Sequence, residues 1–232
     1  ITFVNHDGRY YMKRLFAFFL AFTLSHSLFA QGVTTASAFF SRLSERYASI
    51  DNYVANISIK TGNSTQNGLI KFKRPNFLRI DFYYPKDQYI LFANDVLNIY
   101  LPSLDIVLSQ KADPASSAPS LATGQGLSLM KRSYIIAYET SASPKPIQEG
   151  SNEQVIVLSM ERRNGSEPFR KLRLMVSPET NLIRRIEGFP VIGEKVVFDF
   201  SSYRINPGIP SSVFVFEPEH TSTILNDFLY ME

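Results

Sequence analysis

The chain of 232 residues contains no cysteine and no tryptophan, and it has three histidines. Without cysteine it can form no disulfide bond, no thiolate metal site and no Cys–His catalytic pair. His6 and His26 lie near the start of the chain, so His220 is the single histidine in the rest. No G-x-S-x-G nucleophile motif occurs. These absences predict a protein that is not an enzyme and that has no metal or other cofactor.

An excess of charge of one sign is also missing. The chain has 24 basic and 21 acidic residues. The first 30 residues hold three of the basic residues and one of the acidic ones, which leaves 21 basic and 20 acidic residues in the remainder (24 − 3 and 21 − 1). Nucleic-acid binding needs a clustered basic surface, so this balance predicts no nucleic-acid partner.

Residues 12–30 are arranged like a secretory signal peptide. Lys13 and Arg14 precede an apolar run at residues 15–22, and a short segment ending in Ala30 provides the cleavage site. The run is too short to cross about 30 Å of hydrocarbon, which disfavours the alternative of a buried or transmembrane helix. The pattern therefore predicts export with cleavage after Ala30.

This signal peptide divides the chain into three parts. Residues 1–11 are expected to be an over-extended start, and residues 31–232 are expected to form a single domain. A bacterial lipoprotein carries its lipid on a cysteine at the cleavage site, and this chain has none. The exported domain is therefore expected to be soluble.

Apolar spacing predicts one helix at the start of this domain and two-residue alternation after it. Residues 34–47 read as an amphipathic helix that Thr34 or Thr35 can cap. Its buried face is expected to consist of Phe39, Phe40, Leu43 and Tyr47. Predicted strands follow at residues 53–60, 68–73, 78–82, 88–93, 96–101, 106–109, 134–140, 154–162, 169–176, 181–189 and 196–205.

The segments between these strands are polar or rich in turn residues. Residues 63–66 read as a polar turn, and Asn94-Asp95 reads as the turn of a hairpin. Residues 111–126 form a low-complexity break rich in alanine, serine and proline, and residues 127–131 read as a short helix. About ten short strands in one unit predict a barrel-like or sandwich domain.

Several strands carry bulky apolar residues on both faces. A sheet needs such two-sided apolar character only when helices cover it or when it lines a cavity. Nineteen phenylalanines and twelve tyrosines would suit a broad apolar lining. An ordinary dense core remains the alternative, and we favour the cavity. The opposed residues are Val155 and Val157 against Ile156, Leu158 and Met160, and Val196 and Phe198 beside Val197.

The turn at residues 73–76, read as K-R-P-N, lies directly before an apolar strand. Pro75 favours extended geometry at Arg74 and so projects the guanidinium from the strand end. The five N–H donors of this guanidinium could bind backbone carbonyls of a covering helix or the polar head of a ligand. The alternative is an arginine exposed to solvent in a loop.

This arrangement resembles the LolA family, the periplasmic carriers that move lipoproteins between the two membranes of diderm bacteria. The resemblance covers residues 39–216 and is tightest at residues 68–101. It rests on the N-terminal amphipathic helix, a G-x-x-x-x-K-R-P-x strand end at residues 68–76, a proline-containing strand at residues 80–85, a hairpin at residues 89–100, and F-x-F-x-P at residues 214–218.

The chain departs from the family pattern in three places. Phe77 stands before Leu78, whereas the family usually places its aromatic two residues further along. Residues 111–126 and residues 221–232 have no clear counterpart. These departures concern the contacts of the lid and the partners to which cargo is handed.

The resemblance implies a mainly β fold, an unclosed antiparallel β-barrel or half-barrel with an α-helical lid over an apolar cavity. It also implies that Arg74 helps to hold the lid shut. The residues expected to line the acyl-chain cavity are Phe40, Leu43, Ile57, Ile70, Phe72, Phe77, Leu78, Ile80, Phe82, Leu91 and Phe198.

The implied function is that of a periplasmic carrier that binds the acyl chains of lipoproteins released from the inner membrane and delivers them to the outer membrane. The implied partners are acylated lipoproteins, an inner-membrane release transporter and an outer-membrane acceptor, and we expect a monomer. The alternatives are a transporter of glycolipid or phospholipid on the same fold, a lipoprotein-sensing module, and a structural envelope protein.

Overall fold

The computed structural model describes residues 34–84, 86–111, 122–165, 167–217 and 222–228. The predicted signal peptide and the segment before it lie outside the described residues, as does most of the low-complexity break. The described elements are α1 (Ala36–Ala48), β1 (Asn52–Thr61), β2 (Ser64–Lys73), β3 (Phe77–Tyr84), β4 (Lys86–Ala93), β5 (Val96–Leu101), β6 (Ile106–Lys111), α2 (Gly124–Ser133), β7 (Tyr134–Tyr138), β8 (Lys145–Pro146), β9 (Gln154–Arg162), β10 (Phe169–Val176), β11 (Ile183–Pro190), β12 (Val196–Ile205) and β13 (Thr223–Asn226).

These strands form one large sheet of 13 strands that is not closed into a barrel. The strand order is β13-β6-β5-β4-β3-β2-β1-β12-β11-β10-β9-β7, and the short β8 pairs with β9 beside this path. Neighbours run antiparallel except for β13, which pairs in parallel with β6. The predicted mainly β fold with an unclosed antiparallel sheet is confirmed.

Helix α1 begins where the sequence predicted it. The hydroxyl of Thr35 accepts a hydrogen bond from the backbone N–H of Ala38 at 3.2 Å, which satisfies one of the free donors of the first turn. The four apolar residues predicted for its inner face are all buried. This face packs on the sheet, because α1 shares one apolar core with strand residues of β1, β2 and β3.

Two-residue alternation divides the sheet into an inner face beneath the helices and an outer face. On β2 and β3 the inner face carries Ile70, Phe72, Leu78, Ile80 and Phe82, all within the main core. Helix α2 contributes to the same core through side chains that include Leu127 and Met130, so both helices cover this face.

The outer face has a smaller apolar cluster of its own. It is formed at one end of the sheet, where the 3₁₀ turn Ser211–Phe214 lies against β3 and β4. Its buried residues are Val54, Leu91, Ala93, Ile209 and Phe214.

Some boundaries differ from those predicted. The predicted turn at residues 63–66 is shorter and lies earlier, at residues 62–63, since β1 ends at Thr61 and β2 begins at Ser64. Gly62 takes the positive φ that this tight turn requires, at 54°. The hairpin turn at Asn94-Asp95 is confirmed, with both residues at positive φ. Sequence patterns missed β8 and β13, because two and four residues are too few to display an alternation.

Away from the cluster at Phe214, the outer face carries ion pairs. The carboxylate of Glu139, just after β7, accepts hydrogen bonds from the Arg173 guanidinium and the Lys145 ammonium, both at 2.5 Å. The Arg173 guanidinium, assisted by Lys145 and opposed by burial, lowers the pKa of Glu139 from its ordinary 4.5 to about 2. The Glu139 side chain is 25 % exposed, so solvent weakens its attraction to Arg173 and Lys145 without removing it.

Acid should therefore weaken the fold through Glu139. A depressed folded-state pKa gives stability that is complete above the unfolded pKa of 4.5 and is lost as the pH falls towards 2. We expect the free energy of unfolding to fall over this window by up to about 3 kcal/mol more in the wild type than in Glu139→Gln. Urea unfolding at several pH values measures the difference, and parallel pH profiles of the two proteins would contradict the expectation.

Candidate functional site

The inner face of the sheet and the two helices enclose an apolar interior. Eight of the eleven residues predicted to line a cavity are in this core, each no more than 4 % exposed. Phe198 on β12 packs against the same core and is partly buried. The structure thus brings nine of the predicted residues together: Phe40, Leu43, Ile57, Ile70, Phe72, Leu78, Ile80, Phe82 and Phe198.

The other two predicted lining residues, Phe77 and Leu91, lie on the outer face. Leu91 is buried in the outer cluster and Phe77 packs against it, with its ring 5.7 Å from that of Phe214. The reason is the two-residue period of a strand: Phe77 directly precedes the inward-facing Leu78. In the same way, Leu91 stands between inward-facing neighbours on β4.

The apolar interior meets solvent along part of its border. On β1 and β12, full burial gives way to partial burial at Ile59, Val196 and Phe198, close to the ends of these strands. Ile90 and Leu97 are partly buried in the same way on β4 and β5. These residues mark where a chain-like apolar ligand could first contact the interior.

Arg74 contacts the C-terminal end of α1. Its Nη1 donates a hydrogen bond to the backbone carbonyl of Ala48 at 2.8 Å, and its Nη2 pairs with the carboxylate of Asp51. The backbone N–H of Arg74 also donates to the carbonyl of Asp51 at 2.8 Å. A cation is favourable at the last carbonyls of a helix, where the helix dipole is negative. The guanidinium, half exposed, therefore connects the turn after β2 to the end of α1.

The hydroxyl of Tyr47 connects the same end of α1 to strands β11 and β12. It accepts a hydrogen bond from the backbone N–H of Ile183 at 3.1 Å and lies 3.2 Å from the hydroxyl of Tyr203. The Tyr203 hydroxyl donates in turn to the carbonyl of Ile183 at 3.0 Å. Burial raises the pKa of Tyr47 to about 12, so the hydroxyl remains neutral and can hold these bonds over the physiological pH range.

Helix α2 begins against the same end of α1. The Tyr53 hydroxyl donates to the carbonyl of Ala122 at 3.1 Å, and Thr123 caps the helix by accepting from the N–H of Gly126 at 3.0 Å. Gly124 approaches α1 so closely that an added Cβ would lie 3.2 Å from the Cα and N atoms of Ala48. Glycine at this position thus allows the two helices to touch.

Tyr47→Phe should cost stability without creating a cavity. Removing the hydroxyl leaves the buried N–H of Ile183 without its acceptor, which typically costs about 1–3 kcal/mol. We expect a loss of this size in urea unfolding, together with faster amide hydrogen exchange at the C-terminal end of α1. Tyr203→Phe removes the neighbouring hydroxyl but keeps the acceptor for Ile183, so it should cost less. Equal stabilities of wild type and Tyr47→Phe would contradict this assignment.

Among the described residues, no group of three or more histidine, aspartate or glutamate side chains is placed to hold a metal ion. Within the same part of the chain, no helix is long and apolar enough to cross a membrane.

A family model decides the affiliation. The model described as "Outer membrane lipoprotein carrier protein LolA" matches residues 58–217, which is more than half of the chain. The protein belongs to the LolA family. This confirms the resemblance found on the turn at residues 73–76 and its neighbours. The LolA fold is one of binding and carrier proteins rather than of enzymes. A sequence search of curated proteins gave no significant match.

Solved structures are similar to this chain at low sequence identity. An uncharacterised conserved protein from Thermus thermophilus is 8 % identical with a TM-score of 0.54, over 80 % of this chain and 98 % of that chain. A LolA superfamily protein from Nitrosomonas europaea is 14 % identical, with a TM-score of 0.41 over 78 % and 98 % of the two chains. A putative outer membrane lipoprotein-sorting protein domain from Vibrio parahaemolyticus is 13 % identical, with a TM-score of 0.44 over 77 % and 95 %.

Proposed function

We propose that this LolA-family protein binds the acyl chains of lipoproteins released from the inner membrane and carries them across the periplasm to the outer membrane. The observation that supports this best is the family match over residues 58–217. The apolar interior between the inner face of the sheet and the two helices also supports it, because acyl chains need an apolar environment. The partners would be an inner-membrane release transporter and an outer-membrane acceptor, and the carrier would act as a monomer.

The energetics explain why such a carrier needs a covered interior. Each buried CH₂ group contributes about 0.8 kcal/mol, so one sixteen-carbon acyl chain represents about 12 kcal/mol. A lipoprotein cannot leave a membrane for water against this cost without a container. A carrier that kept the whole gain would never release its cargo, so part of the gain must be offset.

The packing of α1 and α2 would provide this offset. In the structure their apolar faces cover the proposed lining, and Phe40 of α1 is buried in one core with lining residues such as Phe72. Loading an acyl chain must displace the helices and break this packing. The free energy lost there reduces the net affinity for cargo and keeps release feasible. The helices thus act as a lid, and Arg74 stabilises its closed state through the carbonyl of Ala48.

The test is to identify what the purified protein extracts from membranes. The protein is incubated with spheroplasts of a lipoprotein-producing bacterium, recovered, and its bound molecules are extracted into organic solvent for mass spectrometry. Acylated N-terminal cysteine peptides, released from the inner membrane, would support the lipoprotein carrier. Free glycolipid or phospholipid alone would contradict it in favour of a lipid transporter. No bound molecule at all would contradict both and favour a sensing or structural role.

A further inference from the structure

Most hairpin turns of the sheet lie at the same end of its strands, and together they form one edge of the sheet that runs across the strands. The register places the ends of β1, β3, β5, β9 and β11 at this edge, together with the starts of the strands that follow them. Strands β7 and β13 also begin there, opposite the end of β9 and the start of β6. We call this edge the tip rim, and it comprises the described residues within 60–64, 83–87, 101–105, 131–135, 161–170, 189–195 and 223–224.

The tip rim collects nearly all the large apolar side chains that the fold leaves in solvent. Eight such side chains in the described part of the chain are at least 43 % exposed, and Val215 alone lies elsewhere. The most exposed is Ile192, at 89 %, in the turn between β11 and β12. The seven on the tip rim are Tyr83, Tyr84, Leu104, Ile135, Val191, Ile192 and Ile224.

Folding does not account for these side chains. Isolated exposed apolar residues are ordinary, but here seven of the eight lie on the same edge of the sheet. The turn after β11 needs glycine at Gly193, where φ is 97°, and an added Cβ there would meet nothing within 4 Å. The turn therefore faces open space at Gly193, although Glu194 beyond it lies against Gly62. Neither Val191 nor Ile192 is required to form the turn.

Basic residues accompany the apolar ones. The described residues of the tip rim include eight basic and five acidic side chains, although residues 31–232 as a whole hold 21 and 20. Seven of the eight basic residues are exposed, against three of the five acidic ones. The basic residues are Lys60, Lys86, Lys131, Arg132, Arg162, Arg163, Arg170 and Lys195, and the acidic ones are Asp87, Asp105, Glu161, Glu167 and Glu194.

We propose that the tip rim docks on the surface of an anionic phospholipid bilayer, with Tyr84, Val191 and Ile192 entering the headgroup region. Tyrosine favours this depth because one end of its ring is apolar and the other polar. Lysine and arginine beside inserted apolar residues are attracted to the negative charge of anionic lipids.

The spacing of the apolar residues favours a bilayer over a protein partner. They are distributed over five different strand ends and turns, with charged residues among them in the sequence, whereas specific protein interfaces have a contiguous apolar centre. A bilayer surface is deformable, and separated side chains can enter it independently.

Docking in this way would direct the border of the apolar interior towards the lipid. Val196 and Phe198 lie just below the tip that carries Ile192, and Ile59 pairs with Phe198 on the neighbouring strand. The C-terminal end of α2, with Lys131 and Arg132, reaches the same rim. The proposal does not depend on the identity of the cargo and can fail or stand separately from the proposed function.

The absence of tryptophan allows a direct test with a single fluorescent reporter. Ile192→Trp places the reporter on the tip rim, and Ser212→Trp places it on an exposed position of the 3₁₀ turn, which packs beside Phe77 at the opposite end of β3. Vesicles of phosphatidylglycerol and phosphatidylethanolamine are compared with vesicles of phosphatidylcholine. We expect a blue shift in emission for Ile192→Trp with the anionic vesicles and no shift for Ser212→Trp. Added salt should reduce the response.

A second variant removes the apolar contribution. Val191→Ser with Ile192→Ser should weaken co-sedimentation with the anionic vesicles by about tenfold while leaving the binding of an acylated peptide unchanged. No binding of the wild type to anionic vesicles, or equal binding to phosphatidylcholine, would overturn the proposal. So would a blue shift of Ile192→Trp that appears without vesicles and rises with protein concentration, since the tip rim would then bind a second copy of the chain.

Discussion

Replacing Phe40 with alanine should lower stability and raise cargo affinity in the same protein. Phe40 belongs to α1 and is fully buried in the main core, and truncating such a residue typically costs about 3–5 kcal/mol of unfolding free energy. If loading must displace α1, part of the lost packing no longer opposes binding. We expect an acylated peptide to bind about tenfold more tightly, measured by fluorescence titration beside urea unfolding.

The outer cluster offers a matched control for this experiment. Phe214 is also a buried phenylalanine, 4 % exposed, but it lies on the opposite face of the sheet. Phe214→Ala should lose a similar amount of stability and leave the affinity for the acylated peptide unchanged. If both variants gain affinity equally, general loosening of the protein rather than release of α1 would explain the result.

Arg74→Leu should shift the lid towards its open state at a smaller cost in stability. The substitution removes a charge-assisted hydrogen bond to Ala48 and the pairing with Asp51. Because the side chain is half exposed, we expect a loss of about 1 kcal/mol rather than the larger value of a buried pair. Binding of an apolar dye should rise about fivefold, amide exchange at the end of α1 should quicken, and cargo should be released more slowly.

Two substitutions separate the role of Arg74 from that of charge alone. Arg74→Lys keeps the charge but loses the planar fork that reaches two acceptors, so it should show a partial effect. Lys111→Leu removes an exposed charge at the end of β6, outside the tip rim, and it should change neither dye binding nor release. Unchanged dye binding and cargo exchange in Arg74→Leu would refute the role of this residue in holding the lid.

Local sequence patterns were enough to predict much of this architecture. The period of two was enough to place Ile70, Leu78 and Ile80 on one face, and the spacing of three and four defined the buried face of α1. The same period, read strictly, separates Phe77 from Leu78. Apolar character alone groups both in one lining, whereas the alternation places Phe77 on the outer face and Leu78 on the inner one.

Long-range contacts could not be read from the sequence. Tyr47 and Ile183 meet across 136 positions, and no local signal indicates that a tyrosine at the end of a helix will receive a strand N–H. The outer cluster depends on a 3₁₀ turn whose sequence, S-S-V-F, has no periodicity. The same holds for Gly124, since its close approach to Ala48 depends on where two distant helices cross.

The attachment of α1 at one end has a mechanical consequence. Tyr47 and Ala48 hold its last turn to the sheet, to Arg74 and to the start of α2. Its N-terminal half is retained by apolar contacts and by one exposed hydrogen bond from the Lys131 ammonium to the Ser41 hydroxyl. A helix of 13 residues is about 20 Å long. Turning through about 20° on that fixed end raises the free end by about 7 Å, from simple lever geometry. In the proposed carrier, such a hinge would admit a hydrocarbon chain without breaking a backbone hydrogen bond of the sheet.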